Sequence, residues 1–293
     1  MSKTFQQRVA LLIAAGFLLC IPAWSRAQSP PAPPETLAQP IASEGLSLHS
    51  PHWELTLDGQ VGIPSGHIKV GERDIPGTEL QLHGDLGIAP SEAVGGSVAY
   101  HFTSRDALRL SFVYFFLRGG ETTTQPIVYN GQTFPAGHVD SNLDFYRLSL
   151  AYERVLVPIG PRGQLIGSVG LTYVYLNAVV GGNPEDFYKQ ELPIPIFGLR
   201  LEYPVSDRLN LVGSLSGGAL PRVNSGRQEG GTVYLQQSHA DLGLGVAYLL
   251  ARGLQLEGGY HLTYFTQHET SHEDDNAILL LDHGFVVRLT YRF

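Results

Sequence analysis

The chain has 293 residues, a formal net charge of −8, 16% charged residues and a single cysteine, Cys20. That balance excludes a polybasic nucleic-acid binder, and no nucleic-acid partner is expected. One thiol excludes a disulfide framework and a cysteine-based zinc site, while 34 glycines, 14 tyrosines and 13 phenylalanines suit curved strands with rings at an interface.

Residues 1–27 read as a secretory signal peptide. Lys3 and Arg8 form a positive start, Val9–Ile21 is an apolar core, and Pro22 ends it before the small residues around Ala27. The core is too short for a spanning helix. Residues 28–51, containing SPPAPPE, read as a flexible periplasmic linker. No later segment offers the run of about 18 apolar residues that a spanning helix needs.

From residue 52 to 293 apolar residues recur at every second position, the period of a strand with one face against oil and one against a polar interior. The clearest case is the last stretch, Asp282–Phe293, with Phe285, Val287, Leu289, Tyr291 and Phe293 on one face and Arg288, Thr290 and Arg292 on the other. Earlier strands are predicted over His52–Ile63, Ala93–Thr103, Ala107–Leu117, Leu143–Leu156, Gln164–Leu176, Leu192–Val205, Arg208–Leu220, Tyr234–Leu250 and Leu254–Phe265. Connections of three to seven residues alternate with connections of 14 to 29. Short turns on one side and long loops on the other mark outer-membrane barrels. The fold class expected is therefore all-β: a closed antiparallel transmembrane β-barrel of about ten strands, with twelve or eight as alternatives. Twelve would arise if Thr78–Ile88 paired as an extra hairpin on the outside.

Trp53, Tyr100, Tyr152, Tyr203, Tyr248 and Tyr291 all fall outward beside a short turn or chain end, and are expected to form an aromatic girdle at the lipid boundary. Tyr114, Phe116, Tyr173, Tyr175 and Tyr264 are candidates for the opposite girdle. Phe293, after alternating apolar residues, resembles the terminal signal read by the outer-membrane assembly machinery. Outer-membrane lipid, that machinery and periplasmic chaperones are the expected partners, and the bacterial outer membrane the expected location.

The same parity turns Glu54, Asp58, Arg109, Arg147, Glu153, Arg200, Glu202, Asp241, Glu257, Arg288 and Arg292 inward. Mixed signs at neighbouring heights favour mutual pairing over a wide charged pore, since unpaired buried charge is costly. Chemistry, if present, would sit in the sequence HETSHEDD of the last long loop, where His268, Glu269, His272 and Asp274, with His283 nearby, form a candidate rim site. Neither a cofactor nor a metal site is expected.

Two stretches, GTELQLHGDLGI (77–88) and YNGQTFPAGHVDSNLDFYRLSLAYE (129–153), resemble a group of uncharacterised outer-membrane barrel proteins. The resemblance implies the barrel and no activity. The functional expectation is a structural, surface-interaction or small-solute-passage role. The alternative is a rim-active hydrolase, of the omptin protease or lipid A deacylase kind.

Overall fold

A strand whose alternate side chains face opposite environments can satisfy its backbone only by pairing on both edges, and a sheet with no free edge must close on itself. This chain closes. The computed structural model describes residues 52–72, 74–160, 163–185, 192–228 and 231–293. The signal peptide and linker expected over 1–51 lie outside the described residues.

The strands are β1 (His52–Glu72), β2 (Leu80–Gln81), β3 (Ser91–His101), β4 (Asp106–Thr123), β5 (Ile127–Tyr129), β6 (Gln132–Phe134), β7 (Gly137–Ile159), β8 (Gly163–Val180), β9 (Asn183–Glu185), β10 (Ile194–Pro204), β11 (Leu209–Gln228), β12 (Thr232–Ala251), β13 (Leu254–Thr270) and β14 (Asp274–Arg292). Ten of them pair antiparallel in the ring order β1, β3, β4, β7, β8, β10, β11, β12, β13, β14, and β14 returns to β1. The closing register pairs Glu54 with Arg292 and runs unbroken to Glu72 with Asp274.

Most strands run further than predicted at the end away from the short turns, whereas β10 is shorter at both ends than the predicted Leu192–Val205. Thr266–Asp282, expected as a loop, is mostly strand, with only residues 271–273 left as a turn. Pro64–Glu72 likewise continues β1. The first long connection does not add a hairpin outside the barrel. Among the described residues only β2 forms there, pairing with β1 at Ile68 and Leu80, and Leu82, Leu86 and Ile88 beyond it turn inward. Leu80, Leu82, Leu86 and Ile88 are at most 1% exposed. They pack with Phe115, Phe145, Val174, Phe265 and Leu280 from the surrounding strands. Gly119 makes this docking feasible: a Cβ there would stand 2.2 Å from the Leu86 carbonyl oxygen.

A second insert caps this core. β5 and β6 form a hairpin whose turn residues, Asn130 and Gly131, both have positive φ (46° and 70°), the geometry that Asn-Gly turns favour. It carries Tyr129 to 0% exposure, where its hydroxyl donates to the Ala178 carbonyl at 3.1 Å. Burial holds that phenol well above its usual range.

On the outside, the half nearer the short turns is an apolar belt. Phe285 is 73% exposed, Phe197 66% and Leu244 62%. Trp53, Tyr203, Tyr248 and Tyr291 stand exposed at its short-turn edge, and Trp53 packs against Tyr100 with ring centroids 4.7 Å apart. Tyr152 hydrogen-bonds to Asp106 at the same edge. At the belt's other edge Tyr146 stacks on Tyr175, and Tyr260 donates to or accepts from His283 Nδ1 at 2.6 Å.

Candidate functional site

The interior is built in layers, and each layer follows from strand parity. Nearest the short turns, Glu54 on β1, Arg109 on β4, Glu153 on β7, Arg200 and Glu202 on β10 and Arg292 on β14 all point inward at similar heights. They join in a closed ring of alternating charge. Arg292 Nε meets Glu54 at 2.7 Å, Arg109 meets Glu54 and Glu153 at 2.8 Å each, and Arg200 meets Glu153 at 3.7 Å and Glu202 at 3.5 Å. The contact of Arg292 with Glu202 at 3.9 Å completes the circle. Ser97 and Gln164 add hydrogen bonds to Arg109 and Glu202. Each acid touches two guanidinium groups, which is what makes three buried carboxylates tolerable in a confined space.

The next layer holds a polar cavity of about 350 Å³, lined by hydroxyls such as Ser111, Ser149, Thr172 and Ser214 and by Asp58, Glu257 and Arg288. Arg288 pairs with Glu257 at 2.7 Å, and Asp58 accepts from Gln60 at 3.1 Å. Above the cavity Arg147 reaches from β7 across the lumen to Asp241 on β12, with contacts of 2.9 to 3.1 Å, and Thr263 also donates to Asp241 at 2.8 Å. The Arg147 guanidinium lies 5.9 Å from the Phe115 ring centroid, so this layer is the floor of the apolar core.

One buried cluster in this layer was not singled out from the sequence. Asp282 (1% exposed) accepts from Ser91 and bonds His261 Nε2 at 3.0 Å. It opens the last predicted strand on the face that carries Arg288 and Arg292, but its partners come from two other strands, β3 and β13. Gly62 leaves the room, since a Cβ there would lie 2.8 Å from both carboxylate oxygens. Ser91 bonds the acid and not the imidazole, so the cluster lacks the serine–histidine contact of an activated nucleophile.

The eleven predicted interior charges all line the polar cavity. The half away from the short turns holds a largely apolar core, with Gln237, Gln267, Glu269 and Asn276 also buried there. Beyond the belt the wall needs no lipid-facing alternation, and the inserts supply the inner layer of an ordinary core.

The rim residues do not converge. His268 faces out and bonds Asp275 at 3.2 Å, Glu269 is buried inward at 2% exposure, His272 is exposed in the turn, and His283 sits on the outer wall with Tyr260. Asp274 pairs in register with Glu72. Lys69 donates to Asp275 at 2.8 Å, so that carboxylate is engaged from two sides. Among the described residues no group of three or more His, Cys, Asp or Glu is placed to hold a metal ion.

No protein-family model matches the chain, and no curated protein matches it. Among solved structures, the outer membrane protease OmpT from Escherichia coli is 12% identical, with 86% of this chain and 100% of that chain covered at a TM-score of 0.44. The translocator domain of autotransporter NalP from Neisseria meningitidis is 16% identical, covering 86% and 92% at 0.42. The outer membrane protein OprG from Pseudomonas aeruginosa is 9% identical, covering 84% and 98% at 0.38. The likeness is one of overall architecture and extends to no activity.

Proposed function

We propose that this chain is a bacterial outer-membrane β-barrel that is closed to bulk solvent and acts through its structure and its outer surface. The exposed belt of leucines, valines and aromatic rings is too apolar and too continuous for water, and it has the form of the lipid-facing band of such barrels, about 25 Å tall. The short turns then lie in the periplasm, and the extended strand ends with their capping hairpin form a collar on the outside. The observation that carries the closed reading is the alternating ring of three acids and three arginines on one side of the cavity, with an apolar core on the other. Small solutes would have to displace both to pass. The rim-hydrolase alternative gains no support from histidines and carboxylates that point in different directions.

Reconstitution into liposomes tests the proposal. Carbonate washing should leave the protein with the lipid, and a trapped small sugar should stay inside. Release of the protein by carbonate would remove the membrane reading, and rapid sugar efflux would remove the closed one.

A further inference from the structure

The periplasmic mouth carries a pair of side chains that the closed-barrel reading does not use. His52 is the first residue of β1 and His101 the last of β3, and the two are direct cross-strand partners. Their imidazoles face each other with centroids 4.3 Å apart and planes 4° from parallel. Among the described residues neither ring makes a hydrogen bond, and the buried Nδ1 of His52 and Nε2 of His101 have no partner at all. A neighbouring carboxylate does not explain the pair, because both oxygens of Glu54 are taken by Arg109 and Arg292. Two imidazoles stacked with idle nitrogens are an unusual use of polar groups, since a buried nitrogen without a partner is destabilising.

We propose that His52 and His101 together chelate a divalent transition-metal ion, of the Cu²⁺, Ni²⁺ or Zn²⁺ class, at the periplasmic mouth. Directly opposed residues of an antiparallel pair hold their Cβ atoms about 4.5–5.5 Å apart, close enough for two side chains to reach one ion after a modest tilt of the rings. Neutral imidazole is the common ligand of this metal class, and its ordinary pKa of about 6.5 leaves it mostly unprotonated at neutral pH. Water from the periplasmic side supplies the remaining positions. The adjacent ring holds as many acids as arginines, and Glu54, the acid nearest the pair, favours positive charge there. The arrangement gives two protein ligands, enough for a reversible site and too few for a closed structural one. The inference rests on the position of the pair and not on whether the lumen conducts.

The test uses the full folded chain in detergent micelles, titrated with Cu²⁺ alone and read by electron paramagnetic resonance. The expected spectrum is that of one ion bound by two imidazole nitrogens. His52→Asn and His101→Asn, each verified as folded by heat-modifiable gel migration, should each weaken binding by at least the roughly 10–100-fold typical of lost metal-supporting groups. His268→Asn, on the opposite side of the barrel, should leave it unchanged. A one-nitrogen spectrum of the wild type, or affinity retained in both mouth variants, would overturn the assignment, and the first of these needs no variant.

Discussion

Arg109→Ala is the perturbation that bears most directly on the charged ring. Arg109 is 9% exposed, and its guanidinium bonds Glu54, Glu153 and Ser97 at distances of 2.8 to 3.1 Å. Removing it leaves Glu54 with Arg292 alone and Glu153 with only the longer contact to Arg200 at 3.7 Å. Breaking a buried pair by deleting one partner costs about 3–5 kcal/mol, because the charge left behind stays desolvated. Two carboxylates lose a partner here, which puts the expected loss toward the top of that range. The assay is urea unfolding from lipid vesicles, followed by tryptophan fluorescence. Arg154→Ala is the matched control: Arg154 pairs with Asp106 at 3.3 Å, yet its side chain is 56% exposed, so the midpoint should not move. Adding Glu153→Gln to an Arg109→Met background should recover part of the loss, since an uncharged partner needs no cation. If Arg109→Ala were no more harmful than Arg154→Ala, the ring would not be a buried, mutually dependent network and the reasoning would fail.

Other consequences concern the outer half and its surface. Phe145 is fully buried between Phe115 and Phe265, with centroid distances of 5.3 and 5.1 Å, so Phe145→Ala should cost about 3–5 kcal/mol in the same unfolding assay. Gly119→Val should undock the first insert, because the backbone of Leu86 and Gly87 occupies the space a side chain would take; faster amide exchange over residues 80–88 is the readout, and unchanged protection would contradict the docking. The Lys69 ammonium donating to Asp275, aided by His268, holds the Asp275 carboxyl below its ordinary value of 3.8. A depressed folded value means the stabilisation is present above about pH 4 and is lost as pH falls through the folded pKa. The pair is about half exposed, so it is worth no more than about 0.5 kcal/mol. Lys69→Met should raise the Asp275 midpoint in a carbon-13 titration.

The belt half of the barrel was legible because two different solvents wrote the sequence pattern: lipid required Leu55, Phe112 and Leu244 outward, and the lumen took Thr56, Ser111 and Gly243 inward. The outer half obeys a different rule. In the run from Ala277 to Leu281 both faces are apolar, one packed inside and one on the wall, so the period of two disappears and the strand reads as loop. The aromatic residues Tyr129 and Phe134 suggest a packed lid or hairpin in their loop, but nothing local fixes which wall the buried Tyr129 packs against. Parity placed the eleven interior charges correctly on one side of the wall. Which acid meets which arginine depends on the stagger of the strands around the barrel. That is why the contact of Arg147 with Asp241, across the lumen from β7 to β12, has no signature in either stretch of sequence.

Current through single barrels in a planar bilayer tests the closed interior most directly. With the ring and the apolar core both in place, the wild-type protein should insert without producing a steady current at moderate voltage. A stable ohmic conductance after each insertion would show a continuous aqueous path, and would contradict the account.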